Sequence, residues 1–149
     1  VGSWAGAMGQ CQFMPSSYHR FAQDYNNDGK RDIWNSLPDT FASMANYLRN
    51  SGWKYDQTWG REVILPKTFD VALTGLEHTK SIPEWQQMGV RRVDGTDLPG
   101  RELLAAIILP DGAGTRAYMV YDNFRNIMKW NRSTYFALAV GILSDHLLQ

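Results

Sequence analysis

The chain has 149 residues, of which 44% are hydrophobic, 13% aromatic and 20% charged. That composition excludes a disordered chain and is long enough to bury one core. Fifteen basic residues balance fifteen acidic ones, so no global field recruits anionic lipid, and nucleic acid is excluded as an expected partner. The single cysteine, Cys11, cannot form an intrachain disulfide, and no apolar run reaches the ~20 residues of a membrane-spanning helix.

The first residues, Val1 to Gly9, lie in a Gly-rich segment with no initiating Met, basic leader or apolar signal core, which reads as part of a longer polypeptide. Residues 1–14 are expected to be loop and short helix, punctuated by Gly2, Gly6 and Gly9. Pro15-Ser16-Ser17 then opens a helix, with a Ser available as cap and Tyr18, Phe21 and Ala22 on one face, running to Asp24. A polar, turn-rich stretch follows to Asp32. Ser36-Leu37-Pro38-Asp39 starts a second helix, whose stripe Phe41, Met44, Ala45 and Leu48 faces a core and whose stop is Gly52.

Beyond Gly60 the pattern changes to short β-branched or aromatic runs bounded by Gly, Pro and Asp: residues 62–66, 90–93, 103–109 and 117–121. Two short helices interrupt them, one over 69–76 and one from a Ser81 cap through Pro83 and Glu84 to Gly89. Gly112-Ala113-Gly114-Thr115 lacks the lysine of a phosphate loop and reads as a hairpin connection, and no motif for an organic cofactor is present. Phe124, Ile127 and Met128 restore helical spacing, and the nearly all-apolar run 133–148 predicts a helix buried on every side, Phe136 included. The fold class expected is α+β, mainly α, organised as a helical part over 1–60, a small β-rich subdomain over 61–122 and returning helices over 123–149.

Asp24, Asn26, Asp28 and Asp32 place oxygen side chains at positions 1, 3, 5 and 9 of an EF-hand loop, with Gly29 at 6 and the Lys30 carbonyl at 7. Two carboxylates about 5 Å apart repel by roughly 3 kcal/mol at an effective dielectric near 20, which favours a cation between them. Asn35 stands at position 12 in place of the usual Glu, and Asp39 on the next helix is the alternative carboxylate. A structural Ca²⁺ is the cofactor expected; the competing reading is a solvated Asx-rich turn.

The segment Gly2-Ser3-Trp4-Ala5-Gly6-Ala7-Met8-Gly9-Gln10-Cys11-Gln12-Phe13-Met14-Pro15-Ser16-Ser17 combines small residues with amides and hydroxyls suited to a polar ligand. Together with the loop above, Tyr121-Asp122-Asn123-Phe124 and Trp130-Asn131-Arg132-Ser133-Thr134-Tyr135-Phe136-Ala137, it resembles the lytic murein transglycosylase B family along essentially the whole chain. The resemblance implies a lysozyme-like helical core, present in part, with a small β-containing subdomain and a calcium loop. It implies action on peptidoglycan glycan strands in the periplasm, with outer-membrane anchoring through a missing N-terminus left open. The bond cleaved lies between N-acetylmuramic acid and N-acetylglucosamine, without water, giving 1,6-anhydromuramyl ends.

One Glu acts there first as acid and then as base, and the family places it upstream of the Gly-Ala-Met-Gly segment. No catalytic residue is therefore expected among Glu62, Glu77, Glu84 and Glu102, and the remaining N-terminal part of the same protein is an expected partner. By the resemblance Ser3, Gln12, Tyr47, Trp130, Asn131 and Ser133 contact substrate, although Trp130 and Phe136 stand where other members have Tyr. The alternative function is a non-catalytic module that binds peptidoglycan or calcium. His19, His78 and His146 show no ligand spacing, and Cys11 is expected to be a small buried residue.

Overall fold

A computed structural model describes residues 2–147, and the chain divides into two compact units, 1–53 and 54–149. The first holds helix α1 (Pro15–Phe21) and helix α2 (Leu37–Asn50). α1 ends at Phe21, before the expected Asp24, and no side chain caps it: Met14 occupies the N-cap. Pro15 at the first helical position suits the start, since its missing N–H is one that the end of a helix leaves unpaired in any case.

α2 starts as expected, with the Ser36 side chain accepting from the Asp39 amide, but the face it buries differs. Phe41 is exposed, Met44 and Leu48 are half-buried, and the buried positions are Asp39, Thr40 and Ser43. This side of α2 is polar because it satisfies backbone groups of the preceding loops. Ser43 Oγ accepts from the Gln23 amide at 2.9 Å, Asn46 Nδ2 donates to the Phe21 carbonyl at 2.9 Å, and the Cys11 thiol lies 3.7 Å from the Thr40 carbonyl. Cys11 is buried as expected, and burial pushes its thiol pKa up, so it stays protonated.

The second unit is built on a five-stranded antiparallel sheet. In chain order its elements are β1 (Gly60–Ile64), a 3₁₀ turn (Val71–Leu73), β2 (Thr79–Ser81), α3 (Ile82–Gln87), β3 (Arg91–Arg92), β4 (Leu104–Ile108), β5 (Ala117–Val120), α4 (Asp122–Trp130) and α5 (Thr134–Leu147). The strands lie in the order β2-β4-β5-β1-β3. β2 escapes the sequence reading, and the expected helix over 69–76 shrinks to a single turn capped by Asp70. Helix α3 carries the full capping box, with Ser81 and Glu84 bonding reciprocally.

β4 and β5 are buried on both faces, which explains their unbroken apolar sequence. Val63, Ala105, Ile107, Ala117 and Met119 meet Ile82 and Trp85 of α3 on one face, and the Trp85 indole donates to the Ala105 carbonyl at 2.9 Å. By the alternation of a strand, Ala106, Ile108, Tyr118 and Val120 point to the other face, where the Trp59 ring lies 6.3 Å from Tyr118 and 6.3 Å from Phe124.

Helix α5 is not buried on every side. Ala137, Leu138 and Gly141 are covered, whereas Phe136, Val140, Leu143 and Leu147 are exposed, because within this unit one side of the helix alone meets α4 and Trp59. A Gly in a helix normally costs about 0.5–1 kcal/mol relative to Ala. At position 141, however, a methyl group would sit 2.6 Å from Trp59 Cε2, a separation that forces the ring or the helix to move. Gly141→Ala is therefore expected to destabilise by about 1–3 kcal/mol, read as a lower urea midpoint, the opposite sign to the same change at an unobstructed helical Gly.

Candidate functional site

In the first unit the acidic loop folds around its own backbone. Asp24 accepts from the amides of Asp28 at 3.2 Å and Gly29 at 2.9 Å, Asn26 Oδ1 from Asp28 at 3.2 Å, and Asp28 Oδ1 from Lys30 at 2.9 Å. Gly29 takes φ +86° and Asn27 φ +60°, so the sharp turn assigned to Gly29 is present. Asp32 Oδ1 accepts from the amides of Trp34 and Asn35 at 2.9 Å each.

Asp39, the carboxylate expected in place of a Glu at position 12, does reach the loop. It is fully buried, and its two oxygens accept from Tyr25 N at 2.8 Å and Asp32 N at 3.0 Å, tying the two ends together. The Tyr25 amide, helped by that of Asp32, holds the Asp39 carboxyl below the usual carboxylate range against the opposing effect of burial. The donors are oxygens throughout, the chemistry a hard cation requires. Among the described residues, no three His, Cys, Asp or Glu side chains form a group arranged to hold a metal ion, since these carboxylates are turned onto backbone N–H groups.

The Gly-rich segment is a series of tight turns. Ser3 accepts the Ala7 amide on Oγ at 3.0 Å, and its own amide donates to the Ala7 carbonyl at 2.9 Å. A side chain at Gly9 (φ +64°) would meet the Ile33 carbonyl at 2.6 Å, so this Gly permits a close approach of two backbone segments. Gln12 sits at φ +52° with its side chain exposed and its amide donating to the Gly9 carbonyl at 2.9 Å. A non-Gly residue in the left-handed region is held there by its surroundings. Here Met8 and Phe13 bridge across the turn, and buried Phe13 packs 5.8 Å from the Tyr47 ring of α2. Tyr47 also meets Phe21 edge-on at 5.0 Å. Gln12 and Tyr47 are thus linked through Phe13, and Tyr47 is half-buried.

In the second unit Trp130, Asn131 and Ser133 share the junction of α4 and α5. Asn131 is the C-cap of α4 and its Oδ1 accepts from the Ser133 amide at 3.1 Å, while Ser133 Oγ accepts from the Phe136 amide at 3.2 Å and so starts α5. Trp130 is half-buried and Asn131 exposed. Tyr135, part of the closing motif but not among the expected substrate contacts, donates its hydroxyl to Asp111 at 3.0 Å and lines a recess of about 500 Å³ with Glu77.

None of the four glutamates is buried. Glu84 is spoken for by the capping box, and the Ser81 hydroxyl and amide hold its pKa below the ordinary value, the wrong direction for an acid that must be protonated near neutrality. Glu77 and Glu102 are exposed. Glu62 is half-buried at the rim of a cleft of about 670 Å³.

A family model described as the transglycosylase SLT domain matches residues 1–145. The chain is 34% identical to the membrane-bound lytic murein transglycosylase B of Escherichia coli K12 over 97% of its own length and 38% of that protein's. Among solved structures, it resembles SltB3 of Pseudomonas aeruginosa in complex with NAG-anhNAM-pentapeptide at a TM-score of 0.94 and 50% identity, covering 98% of this chain and 40% of that one. It also resembles the Escherichia coli lytic transglycosylase Slt35 in complex with calcium at a TM-score of 0.78 and 31% identity, covering 97% and 45%. The chain therefore spans less than half the length of these relatives.

Because the folded-state pKa of Asp39 is depressed, the stability it contributes is complete above the unfolded carboxylate range and is lost as pH falls through the folded value. Asp39→Asn is expected to lower the melting temperature at pH 7 and to flatten its fall below about pH 4. Parallel acid limbs for the two proteins would show that Asp39 does not make this contribution.

Proposed function

From a chain that belongs to the transglycosylase SLT domain family and shares its lysozyme-like fold, we infer part of a lytic transglycosylase acting on peptidoglycan in the periplasm. The match of residues 1–145 to the family model carries this reading. In the reaction proposed, a carboxylic acid protonates the glycosidic oxygen between N-acetylmuramic acid and N-acetylglucosamine. The resulting carboxylate then takes the proton of the muramyl C6 hydroxyl, which closes the 1,6-anhydro ring in place of attack by water.

The acid is not assigned to this chain; it belongs to the part of the protein that the longer relatives include and residues 1–149 do not span. What these residues supply is hydrogen bonding and shape. Ser3 and Gln12 are proposed to bind the sugar near the cleaved bond, with Tyr47 as an aromatic wall. Asn131 and Ser133 are proposed to contribute polar contacts, and Trp130 a ring that stacks on a sugar face. The hydrogen bond from the Gln12 side-chain amide to the Gly9 carbonyl supports its role, since a side chain fixed in advance loses less entropy on binding.

Asp24, Asn26, Asp28, Asp32 and the Lys30 carbonyl, with Asp39 closing the loop, are proposed to hold a structural Ca²⁺. The all-oxygen donor set and the Slt35 structure with calcium support this. The ion would screen the loop carboxylates from one another and take no part in bond cleavage.

Digestion of murein by residues 1–149 and by the longer polypeptide, with products weighed by mass spectrometry, tests the activity. The longer protein is expected to release 1,6-anhydromuramyl products and the shorter chain none; Gln12→Ala in the longer protein should lower kcat/KM about tenfold. Inactivity of the longer protein would favour a non-catalytic binding module instead. For the ion, Ca²⁺ at about 100 times its Kd should add roughly 2.7 kcal/mol to stability, and Asp28→Ala should abolish the gain. A melting curve unmoved by either calcium or chelator would leave the loop as a turn.

A further inference from the structure

The recess of about 500 Å³ in the second unit adjoins the junction assigned above to sugar, because Thr134 and Tyr135, which line it, are the two residues after Ser133. Tyr135 is 60% exposed, and its ring is held in place by the hydroxyl, which sits 3.0 Å from Asp111 Oδ1 and 2.9 Å from the Pro110 carbonyl. The turn that carries Glu77 is fastened to β4 by the bond from Gly75 N to the Ile107 carbonyl at 2.8 Å. Gly75 takes φ +117°, and a side chain there would collide with the Glu77 carboxyl group, so the glycine sets where that carboxylate lies. Leu76, Leu109 and Pro110 supply apolar lining.

Among the described residues no Lys or Arg lines the recess, and the Glu77 carboxylate is within ion-pair reach of His78 alone, at 3.6 Å. Arg125 meets this turn at the Leu76 carbonyl rather than at a carboxylate. An open aromatic face, apolar lining and carboxylate acceptors suit a neutral ligand with C–H faces and hydroxyl donors. They oppose an anion, which Glu77 and Asp111 repel. A glycan strand of alternating sugars presents both kinds. N-acetylglucosamine is neutral, whereas each muramyl residue carries on O3 a lactyl group that ends in a carboxylate or in an acidic peptide.

Resting on the reading of the chain as glycan-directed, we propose that this recess binds an N-acetylglucosamine residue of the strand and rejects a muramyl residue. The sugar ring lies against Tyr135, and its hydroxyls donate to Glu77. Asp111 holds the tyrosine ring in advance of binding and adds to the negative charge that turns the lactyl group away. Because the two sugars alternate, a position that admits one of them fixes the register of the strand past Asn131 and Ser133.

The probes are N-acetylglucosamine and N-acetylmuramic acid, which differ only in the lactyl ether, each titrated into residues 1–149 and followed by backbone amide shifts. N-acetylglucosamine is expected to give saturable shifts at Glu77, Thr134 and Tyr135, and N-acetylmuramic acid to bind there about tenfold more weakly. Tyr135→Ala should weaken N-acetylglucosamine about tenfold, with the spectrum outside the recess unchanged as the folding control. Glu77→Gln, which removes charge but keeps a hydrogen-bonding group, should narrow the difference between the two sugars to about threefold. Absence of shifts at these residues, equal binding of the two sugars, or affinity unmoved by Tyr135→Ala overturns the proposal. Release of anhydromuramyl products by the longer protein in that event would leave the transglycosylase reading standing. A preference for N-acetylglucosamine without any anhydro product from the longer protein would do the opposite, keeping the recess and removing the activity.

Discussion

Helix α5 can lie against Trp59 because residue 141 has no side chain. The Trp59 ring occupies the space where a Cβ would be, and the same residue ties together every element that meets at this end of the second unit. Its indole N–H donates to Asp145 of α5 at 3.0 Å, its carbonyl accepts from the Tyr121 amide at 3.0 Å, and its ring faces Tyr118 of β5 and Phe124 of α4. The neighbouring segment is held by a buried amide: Asn123 accepts from Lys54 N at 2.9 Å and donates to the carbonyls of Lys54 and Gln57 at 2.8 and 2.7 Å. Every polar group of that side chain finds a backbone partner, the condition under which a buried amide adds specificity rather than cost. These contacts fix α4 and α5 in the second unit, and the short junction between them, which carries Trp130, Asn131 and Ser133, is shaped by its own Asn131 and Ser133 hydrogen bonds.

The first unit solves the same problem with polar contacts. Asp39 and Ser43 are fully buried on α2, and both accept backbone amides from the loops. A loop held this way has its backbone donors satisfied internally, and the unusual conformation of Gln12 sits between two buried neighbours, Cys11 and Phe13. Phe13, Phe21 and Tyr47 add aromatic contacts to these, as do Tyr18 and Trp34.

The strands β1, β4 and β5 and the helices α2, α3 and α4 were legible because each announces itself locally, through an apolar run, a Ser cap or a repeat of three and four. β2 was not, because Thr79-Lys80-Ser81 contains no apolar residue and is a strand only through its pairing with Leu104 to Ala106. The buried face of α2 was misread for a related reason: hydrophobic periodicity marks Phe41 and Met44, but burial follows hydrogen-bond partners supplied by residues 11–32. The all-apolar pattern of α5 cannot say how many sides are covered. Of the candidate site, residue identities were legible from motifs, while the left-handed backbone of Gln12, the capping role of Ser133 and the loop-closing geometry of Asp39 arise from contacts that spacing does not encode.

The distribution of acids follows from what each is doing. A general acid needs a raised pKa, hence a dry setting and few donors aimed at its oxygens. The best-placed carboxylates of this chain have the reverse: Asp39 and Glu84 are surrounded by amides and hydroxyls that stabilise their ionised forms. Carboxylates enlisted to hold loops and caps together are thereby disqualified from protonating a leaving group at neutral pH. A reaction of the kind proposed divides accordingly, with these residues fixing the geometry around the sugar and the proton coming from a carboxyl kept free of structural duty elsewhere in the protein.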